Sequence, residues 1–237
     1  MINLDATPEP GRLIIVCLAG AMTLALVSAG AQANLLTNGS FENTNNTFVP
    51  DGNRVMDLPS GSSAIPGWTT TNGVNTAWIQ NGNPYNIPAS NGQFFLDLTS
   101  YFNSGTYGGV TQSFATTAGQ SYTATFDLGF GGDSFAFGGP VSVTASAGNF
   151  TGNFTSASGT PNPAVWNARS FTFLAQGAST TLRIVGLSTA GGSYIGLDNV
   201  DVELTAVGAI PEPETYAMLL AGLGLLGFVR RRRKPQA

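Results

Sequence analysis

The side chains that enzymes use most often for catalysis are scarce in this chain of 237 residues. It has no histidine, and its one cysteine, Cys17, lies in an apolar run near the N-terminus. A Ser-His-Asp triad, a Cys-His pair, a zinc site of His or Cys and a haem ligand set are therefore excluded or nearly so. Acid and base chemistry is left to carboxylates, and a glycosidase needs two of them about 5 to 10 Å apart. No motif selects such a pair, so we predict that the chain is not an enzyme and keep a carboxylate-based polysaccharide hydrolase as an alternative.

Acidic side chains outnumber basic ones in the central part of the chain, residues 34–209. Three cations stand against nine anions there, which gives this part a charge of about −6, whereas the whole chain carries −4. Binding to nucleic acid is therefore disfavoured, because it needs clustered Lys and Arg. Divalent cations and neutral polymers are better matched. Calcium in particular suits the hard oxygen donors of an acidic surface outside the cell.

The N-terminus has the features of a secretory signal peptide. A single arginine precedes an uncharged run from Leu13 to Ala29, and Ala31 and Ala33 give the small-x-small pattern that signal peptidase cleaves. We therefore predict export through the Sec route, a signal peptide over residues 1–33, and cleavage after Ala33. A lipoprotein signal would place its cysteine at the end of the apolar run, whereas Cys17 lies near the beginning.

The sequence from Asn34 onward predicts an all-β domain. Gly, Ser, Thr and Asn are mixed with aromatic and β-branched residues, and no long 3.6-residue period is present. The clearest strand is Ser121 to Leu128, in which every second residue is apolar. We predict further strands at 76–80, 93–98, 110–114, 141–145, 171–173, 181–187 and 194–204, with a long irregular loop at 43–67. About eight or nine short strands separated by turns predict an antiparallel two-sheet β-sandwich or jelly roll.

The last predicted strand changes its phase near the middle. Its apolar residues occupy odd positions at first and even positions later, namely Ile195 and Leu197, then Val200, Val202 and Leu204. Successive side chains of a strand point to opposite faces, so the inward face would slip between the two groups. We predict a β-bulge at Asp198-Asn199 that reconciles the two halves.

The C-terminus combines a Pro-Glu-Pro triplet, an apolar segment and a cluster of cations. They are Pro211, Glu212 and Pro213, then residues 216–229, and finally Arg230 to Lys234. This tail resembles the PEP-CTERM sorting signal of Gram-negative bacteria. The resemblance implies that an exosortase, a membrane-embedded cysteine protease-transpeptidase, processes the chain near the triplet. It also implies delivery to the cell surface or to the extracellular matrix.

The apolar segment of the tail is short for a membrane span. Its 14 residues would form a helix of roughly 20 Å, against a hydrocarbon core of about 30 Å. The cations behind it can snorkel to the cytoplasmic headgroups and resist translocation, so we predict that the segment stays in the inner membrane with the preceding chain outside. The exosortase processing that the resemblance implies would make this stay transient. Without the resemblance, the same residues predict a plain C-terminal membrane anchor. Residues 34–209 are then the exported ectodomain, and residues 210–237 are the sorting signal with a single hydrophobic helix.

A second resemblance spans nearly the whole ectodomain and rests on the order of six short motifs. They are Asn34 to Glu42, Pro66-Gly67-Trp68, Gly92 to Leu98, Gln112-Ser113-Phe114, Gly119 to Tyr122, and Ile195 to Val200. Together they resemble the galactose-binding-like β-sandwich. The nearest members are the cell-wall-associated domain-of-unknown-function proteins of plants and bacteria and the carbohydrate-binding modules attached to xylanases.

The resemblance to carbohydrate-binding modules implies a calcium site. In those modules a structural calcium joins the N-terminal segment to the last strand, and the matching motifs here contain Glu42 and Asp198. Backbone carbonyls would complete the shell. The alternative is that both residues are simple turn or edge acids.

Sugar binding by such a module usually relies on exposed aromatic rings that stack on pyranose faces, aided by polar side chains. The candidates in this chain are Trp68, Trp78, Tyr85, Tyr101 and Tyr107. Packing in the core is the competing interpretation for the two tryptophans, and anchoring of loops is the competing one for the tyrosines. We therefore predict an exported, non-catalytic protein that binds extracellular polysaccharide. A structural matrix protein without a specific ligand is the alternative.

Overall fold

The computed structural model describes residues 33–101, 105–192, 194–205 and 213–232. Up to residue 205 the described chain consists of strands, turns and one 3₁₀ turn, and residues 213–232 form a helix. Ala31 of the predicted signal-peptidase site and the first two residues of the predicted sorting triplet, Pro211 and Glu212, lie outside the described residues.

Eleven strands form two sheets in the described residues, and every paired strand runs antiparallel to its neighbour. They are β1 (Val55–Leu58), β2 (Thr69–Thr71), β3 (Thr76–Gln80), β4 (Phe94–Asp97), β5 (Gly109–Ala115), β6 (Ser121–Phe130), β7 (Val141–Ala147), β8 (Phe150–Thr155), β9 (Val165–Leu174), β10 (Ser179–Thr189) and β11 (Gly196–Leu204). One sheet has the order β1-β3-β4-β11-β6-β9, and the other has the order β2-β5-β10-β7-β8. The predicted all-β, two-sheet antiparallel architecture is confirmed.

The core between the sheets is built from apolar positions that alternate along the strands. In β6, Tyr122, Phe126 and Leu128 are buried, while the polar residues between them are half-buried. They share one cluster with Phe171 of β9 and Ile184 of β10. Burial of a large apolar side chain stabilises the fold by about 1.5–3 kcal/mol, so the alternation decides which face of β6 turns inward.

The phase change predicted for the last strand is present in β11. Its pairing with β6 shifts register between Asp198 and Asp201, and Asn199 has a φ of +51°. Leu197 before the shift and Val200 after it reach the same core. The predicted β-bulge is confirmed, and it leaves the Asp198 side chain fully buried.

Three strands of the structure, β1, β2 and β8, were absent from the sequence prediction. β1 lies inside the predicted loop 43–67, which is therefore wrong for those residues. Its two central residues are half-buried between buried ends, so no alternation marks it. β2 has three residues, and β8 contains Gly152 and Asn153, which are depleted in strands. Pairing with β3, β5 and β7, rather than local propensity, forms these strands.

The six-stranded sheet is also covered on its outer face, over β1, β3 and β4. Along β4, Phe94 packs against the core between the sheets, whereas Phe95 belongs to a second apolar cluster on the opposite face. Trp78 and Ile79 of β3 divide in the same way. Both strands are thus apolar on both faces, which explains why their burial does not alternate.

Loops cover this second cluster, and they comprise residues 81–92, 131–140 and 157–164. Ile87, Phe137 and Ala164 contribute apolar side chains to it, one from each loop. The loops also bond to one another, since the Asp133 N–H donates to the Tyr85 carbonyl at 2.9 Å. The loops therefore form a braced layer on the sheet.

The helix α1 spans Pro213–Arg232 and begins at the last residue of the predicted sorting triplet. Proline is favoured in the first turn of a helix, where its missing N–H costs no hydrogen bond. Leu219, Leu223 and Phe228 on this helix are exposed. Within the described residues, none of the helices has both the length and the apolar character needed to cross a membrane.

Trp68 and Trp78, two of the predicted sugar-stacking residues, lie in the core between the sheets. Their side chains are 2% and 0% exposed. Trp68 packs against Phe41 with ring centroids 5.4 Å apart, and its indole N–H donates to the Asn38 carbonyl at 2.9 Å. A ring enclosed by protein offers no face to a sugar, so the prediction that these two residues contact carbohydrate is wrong.

Trp68→Ala and Trp78→Ala should each lower the free energy of unfolding by about 3–5 kcal/mol, because each leaves a large cavity in the core. Urea unfolding followed by circular dichroism measures this change. Val49→Ala is the control: Val49 is 72% exposed, and its truncation should change stability by no more than about 0.5 kcal/mol. A tryptophan variant with wild-type stability would contradict the burial of that ring.

Candidate functional site

A pocket of about 190 Å³ lies on the outer face of the six-stranded sheet, beside the second apolar cluster. Its walls are mostly apolar and aromatic, with one carboxylate and one aliphatic hydroxyl. They consist of Val55, Ala77, Ile79, Tyr85, Ile87, Asp97, Ser100, Tyr101, Phe137 and Tyr194. Concave apolar sites with a few polar groups are typical of small-ligand binding, although most exceed about 300 Å³. The space therefore suits one small ring or the end of a chain.

Some pocket side chains are positioned by strands and others by loops. β1 and β3 supply the apolar floor, and Asp97 is the last residue of β4. The aromatic walls come from connections: Tyr85 from the loop after β3, Tyr101 from the segment after β4, and Phe137 from the end of the 3₁₀ turn. Tyr194 lies two residues before β11. The braced loop layer thus carries two of the four aromatic groups, Tyr85 and Phe137.

Asp97 is the buried carboxylate of the pocket. Its Oδ1 accepts the Thr99 N–H at 2.8 Å, the Thr99 hydroxyl at 2.9 Å and the Ile195 N–H at 3.1 Å. Among the described residues, its Oδ2 accepts one hydrogen bond, from the same hydroxyl at 3.0 Å. Burial raises the pKa of Asp97 from 3.8 to about 7 despite these hydrogen bonds, and repulsion from Asp57 adds to the rise.

Tyr85 and Tyr101, two of the predicted sugar-binding residues, line the pocket together. Their hydroxyl oxygens lie 3.5 Å apart, and the Tyr101 hydroxyl donates to Asp51 Oδ2 at 2.8 Å. Partial burial raises the pKa of Tyr101, and the contacts with Tyr85 and Asp51 contribute. Partial burial also acts to raise the pKa of Asp51, but the hydrogen bonds that Asp51 accepts lower it by more. Asp51 therefore holds the Tyr101 hydroxyl, which in turn accepts from the Tyr85 hydroxyl.

Tyr194 is a pocket residue that the sequence did not indicate. Its ring meets Phe95 and Phe137 nearly at right angles, with centroids 6.4 and 6.0 Å apart. Its hydroxyl is buried and has no hydrogen-bond partner among the described residues. Gly129 of β6 and Gly196 of β11 leave room for it, since a Cβ on either would collide with the oxygen. The neighbouring strands β6 and β11 therefore each need a glycine to accommodate the Tyr194 side chain.

Asp97, Ser100 and Phe137 also escaped the sequence prediction. Asp97 could have been noticed, because it interrupts the apolar run from Phe94 to Leu98 at a position that a two-sided apolar strand would bury. Ser100 and Phe137 stand in turn segments, whose contacts depend on how distant loops fold together. No local pattern marks them.

Tyr107, the last of the predicted sugar-binding residues, is separate from Tyr85 and Tyr101. It is half-buried and packs against the core between the sheets. It contributes nothing to the pocket wall. Its Cβ lies beside Gly186 of β10, in the five-stranded sheet.

Glu42 and Asp198, the predicted calcium ligands, approach the same turn before β4. Glu42 accepts the N–H groups of Gln93 and Phe94 at 2.8–2.9 Å. Asp198 accepts the N–H of Asn91 at 2.9 Å. Burial raises the pKa of Asp198 to about 7, and repulsion from Glu42 adds to this shift, so the two carboxylates are electrostatic neighbours. Both acids therefore hold the turn in place. This is the role expected from the alternative interpretation, in which they are simple turn or edge acids.

The donor chemistry of this acidic pair fits calcium. A carboxylate offers about four lone-pair sites, so both side chains retain acceptor positions beyond their hydrogen bonds. Groups of three or more Asp, Glu, His or Cys suited to a metal are absent from the described part of the chain. Most of a shell of about six to eight oxygens would therefore come from backbone carbonyls and water.

Comparison with protein families gives two matches. Residues 34–195 match a family described as protein of unknown function (DUF642), and residues 209–234 match the PEP-CTERM protein-sorting motif. Both resemblances predicted from the sequence are confirmed. Halomucin of Haloquadratum walsbyi is 29% identical over 192 residues, or 80% of this chain. The chain spans only 2% of the length of halomucin.

Solved structures with similar folds include proteins that contain carbohydrate-binding modules. The complex of TmCBM61 with β-1,4-galactotriose is 12% identical, with a TM-score of 0.42 over 73% of this chain and 99% of that one. The CBM22-1 xylan-binding domain from Paenibacillus barcinonensis Xyn10C is 14% identical, with a TM-score of 0.39 over 65% and 95%. The arabinose-bound MgGH51 α-L-arabinofuranosidase is 17% identical, with a TM-score of 0.48 over 76% and 28%. With TM-scores below 0.5, these likenesses carry no weight for what this chain binds.

The stability of the fold should fall as the pH rises from about 4 to 7. In this range the folded state holds a proton on Asp97, whose pKa is raised to about 7, while the unfolded state has released it near 3.8. The stabilisation is complete below the unfolded pKa and is lost as the pH passes the folded one. A pKa shift is worth about 1.4 kcal/mol per unit. Asp97→Asn should therefore reduce the fall in unfolding free energy over this pH range by on the order of 2–4 kcal/mol.

Urea unfolding at several pH values measures this effect. Asp133→Asn is the matched control, because Asp133 is an exposed acid outside the pocket wall. It should retain the wild-type pH profile. An Asp97→Asn profile as steep as that of the wild type would contradict the assignment.

Proposed function

The chain belongs to the DUF642 family of proteins of unknown function, and because it also carries a PEP-CTERM sorting motif we propose that it is an exported surface protein that binds extracellular polysaccharide without cleaving it. The motif indicates export and sorting to the cell envelope, with an exosortase as the processing partner. In our proposal, signal peptidase first cleaves after Ala33 during Sec export. The exosortase then acts near Pro211 to Pro213, and the ectodomain remains at the surface or in the matrix of a Gram-negative cell.

The pocket is the observation that carries the binding half of the proposal. Tyr85, Tyr101, Phe137 and Tyr194 surround an apolar floor, and the buried carboxylate of Asp97 provides an acceptor. Aromatic rings pack on the C–H faces of a sugar, while hydroxyl and carboxylate oxygens bond its O–H groups. This is the combination of surfaces that a pyranose needs.

The pocket favours recognition of a terminal or single sugar unit. Its volume of about 190 Å³ lacks the length of a groove that would hold many consecutive residues of a polymer. Its walls are fixed by loop-to-loop hydrogen bonds, such as that from the Asp133 N–H to the Tyr85 carbonyl at 2.9 Å. A rigid site loses little conformational entropy on binding, which favours affinity from a small contact area.

The arrangement of acids favours binding over hydrolysis. A glycosidase needs a second carboxylate that faces the first across the substrate. Asp51 and Asp57 are outside the pocket wall, and each accepts a hydrogen bond from a wall residue, Tyr101 and Ser100 respectively. These acids support the walls. Asp97 is therefore the one carboxylate among the described residues of the wall.

We also propose that Glu42 and Asp198 hold a structural calcium ion. The support is that both carboxylates converge on one turn, repel each other, and receive hydrogen bonds from neutral N–H groups. When bound, a divalent cation would neutralise the repulsion. These two residues would join the N-terminal segment, β11 and the turn before β4, and so stabilise the side of the sheet that carries the pocket.

Loss of either pocket tyrosine should weaken polysaccharide binding. Tyr85→Ala and Tyr101→Ala each remove a ring from the wall, and each should reduce affinity by about tenfold or more, equivalent to about 1.4 kcal/mol. Glycan arrays followed by titration calorimetry with the retained polysaccharide measure this.

Phe135→Ala is the matched control for these variants, because Phe135 is 88% exposed and outside the pocket wall. It should bind as the wild type does. Failure of the wild-type protein to bind any matrix polysaccharide would overturn the binding proposal and favour the structural matrix protein. Sugar release from a polysaccharide, abolished by Asp97→Asn, would favour the hydrolase.

Calcium should raise the melting temperature of the protein relative to EDTA. At about 100 times its dissociation constant, a ligand of the native state adds about 2.7 kcal/mol, or roughly 5–10 °C for a domain of this size. Glu42→Gln and Asp198→Asn should each abolish the rise, whereas Asp133→Asn should keep it. A melting temperature that is the same in EDTA and in calcium would exclude the site.

A further inference from the structure

The pocket described above joins several aromatic rings to an ionisable carboxyl group and contains no basic side chain. Its ring-bearing residues are Tyr85, Tyr101, Phe137 and Tyr194, and its acid is Asp97. A neutral sugar requires rings and hydrogen-bonding groups, but it does not require a buried acid without a cationic partner. An acid without a basic partner therefore favours a positively charged ligand over a neutral one.

The rings are arranged around the space rather than stacked on one another. Tyr85 and Phe137 meet at 88° with centroids 5.8 Å apart, and Phe137 and Tyr194 meet at 71° with centroids 6.0 Å apart. Tyr101 joins this set through its hydroxyl contact with Tyr85. Several rings set at steep angles around a small space are the usual enclosure for an ammonium group, because ring faces attract cations.

Asp97 receives its hydrogen bonds from neutral groups of Thr99 and Ile195. Its Oδ2 has spare acceptor capacity, since it accepts one hydrogen bond from the described residues. Asp57 lies near enough to repel Asp97, and Asp51 accepts a hydrogen bond from the Tyr101 hydroxyl. A buried carboxylate is stabilised by a positive partner, and the pocket wall does not supply one.

The arginines of the sandwich are engaged elsewhere with neutral oxygens. Arg54 donates to the Asn81 carbonyl at 3.1 Å, and Arg183 donates to Asn72 Oδ1 at 2.9 Å. Arg169 donates to the carbonyl of Thr155 at 3.0 Å. None of these three arginines of the described sandwich pairs with Asp97, so a cationic ligand would match it.

We propose that the pocket selects the protonated amine of an amino sugar, with the ammonium group enclosed by the aromatic rings and paired with Asp97. The sugar class follows from the proposed function, on which this inference rests. The pocket has room for one such unit. An N-acetylated sugar would be a poorer ligand, because its amide is neutral and the acid would remain unpaired.

Titration calorimetry of the full chain with three β-1,4-linked tetramers tests the proposal. They are the tetramers of glucosamine, N-acetylglucosamine and glucose, measured near neutral pH in low salt. The glucosamine tetramer should bind at least about tenfold more tightly than the other two. Added salt should weaken only the glucosamine tetramer, because screening acts on charge pairs.

The outcomes separate this inference from the proposed function. Equal affinity for the three tetramers would retain polysaccharide binding and overturn selection of the amine. Absence of binding by all three tetramers and by matrix polysaccharide would overturn both. Because the comparison uses the wild-type protein, it does not depend on how well any variant folds.

Asp97→Asn identifies the residue responsible. It should remove the preference for glucosamine while keeping the affinity for the N-acetylated tetramer. Asp133→Asn makes the same change in net charge at an exposed acid outside the wall, where Asp133 Oδ1 accepts from Asn162 at 2.6 Å. It should keep the preference. Loss of the preference in both variants would indicate a general effect of acidity and overturn the role of Asp97.

Discussion

Burial of β3 and β4 on both faces is the constraint on which the pocket depends. In an ordinary antiparallel sandwich the outer face of a sheet is solvated, and an acid there keeps its charge at little cost. Here Ile79 and Phe95 extend an apolar layer over the outer face, and loops close above it. Asp97 continues the same face and is enclosed with them. The apolar layer therefore creates the floor of the pocket, the high pKa of its acid and the need for braced loops.

Hydrogen bonds that involve no cation hold the loops above this apolar layer. Asn83 donates to the Ile87 carbonyl at 2.7 Å, and the turn before β4 is held by carboxylates that accept backbone N–H groups. Such bonds keep their strength at high salt better than exposed ion pairs, because no Coulomb attraction between exposed charges is screened. They also leave the net negative charge of the domain uncompensated. Because neutral hydrogen bonds hold the loops without cations, the pocket is rigid and also acidic.

The sequence was sufficient for those features that local patterns control. Alternation along β6 and the change of phase at Asp198 gave the sandwich and the bulge, because each follows from which side of a strand is apolar. Motif order gave the family, and Tyr85 and Tyr101 were among the candidate residues. Tertiary contacts decided the rest. An indole looks the same in sequence whether it stacks on a sugar or fills a core, and Trp68 fills the core.

The opposite ends of the ectodomain meet on β11. Asn34 Nδ2 donates to the Val200 carbonyl at 3.0 Å, and the Val202 N–H donates to Asn34 Oδ1 at 3.1 Å. β11 also lies between β4 and β6 in the sheet. A pull on the C-terminal tail of an attached molecule would enter the domain through this inner strand. The hydrogen bonds to both neighbours and to Asn34 would then share the load, so a tether at this end would pull on a strand held on both sides instead of on an edge strand that could peel away.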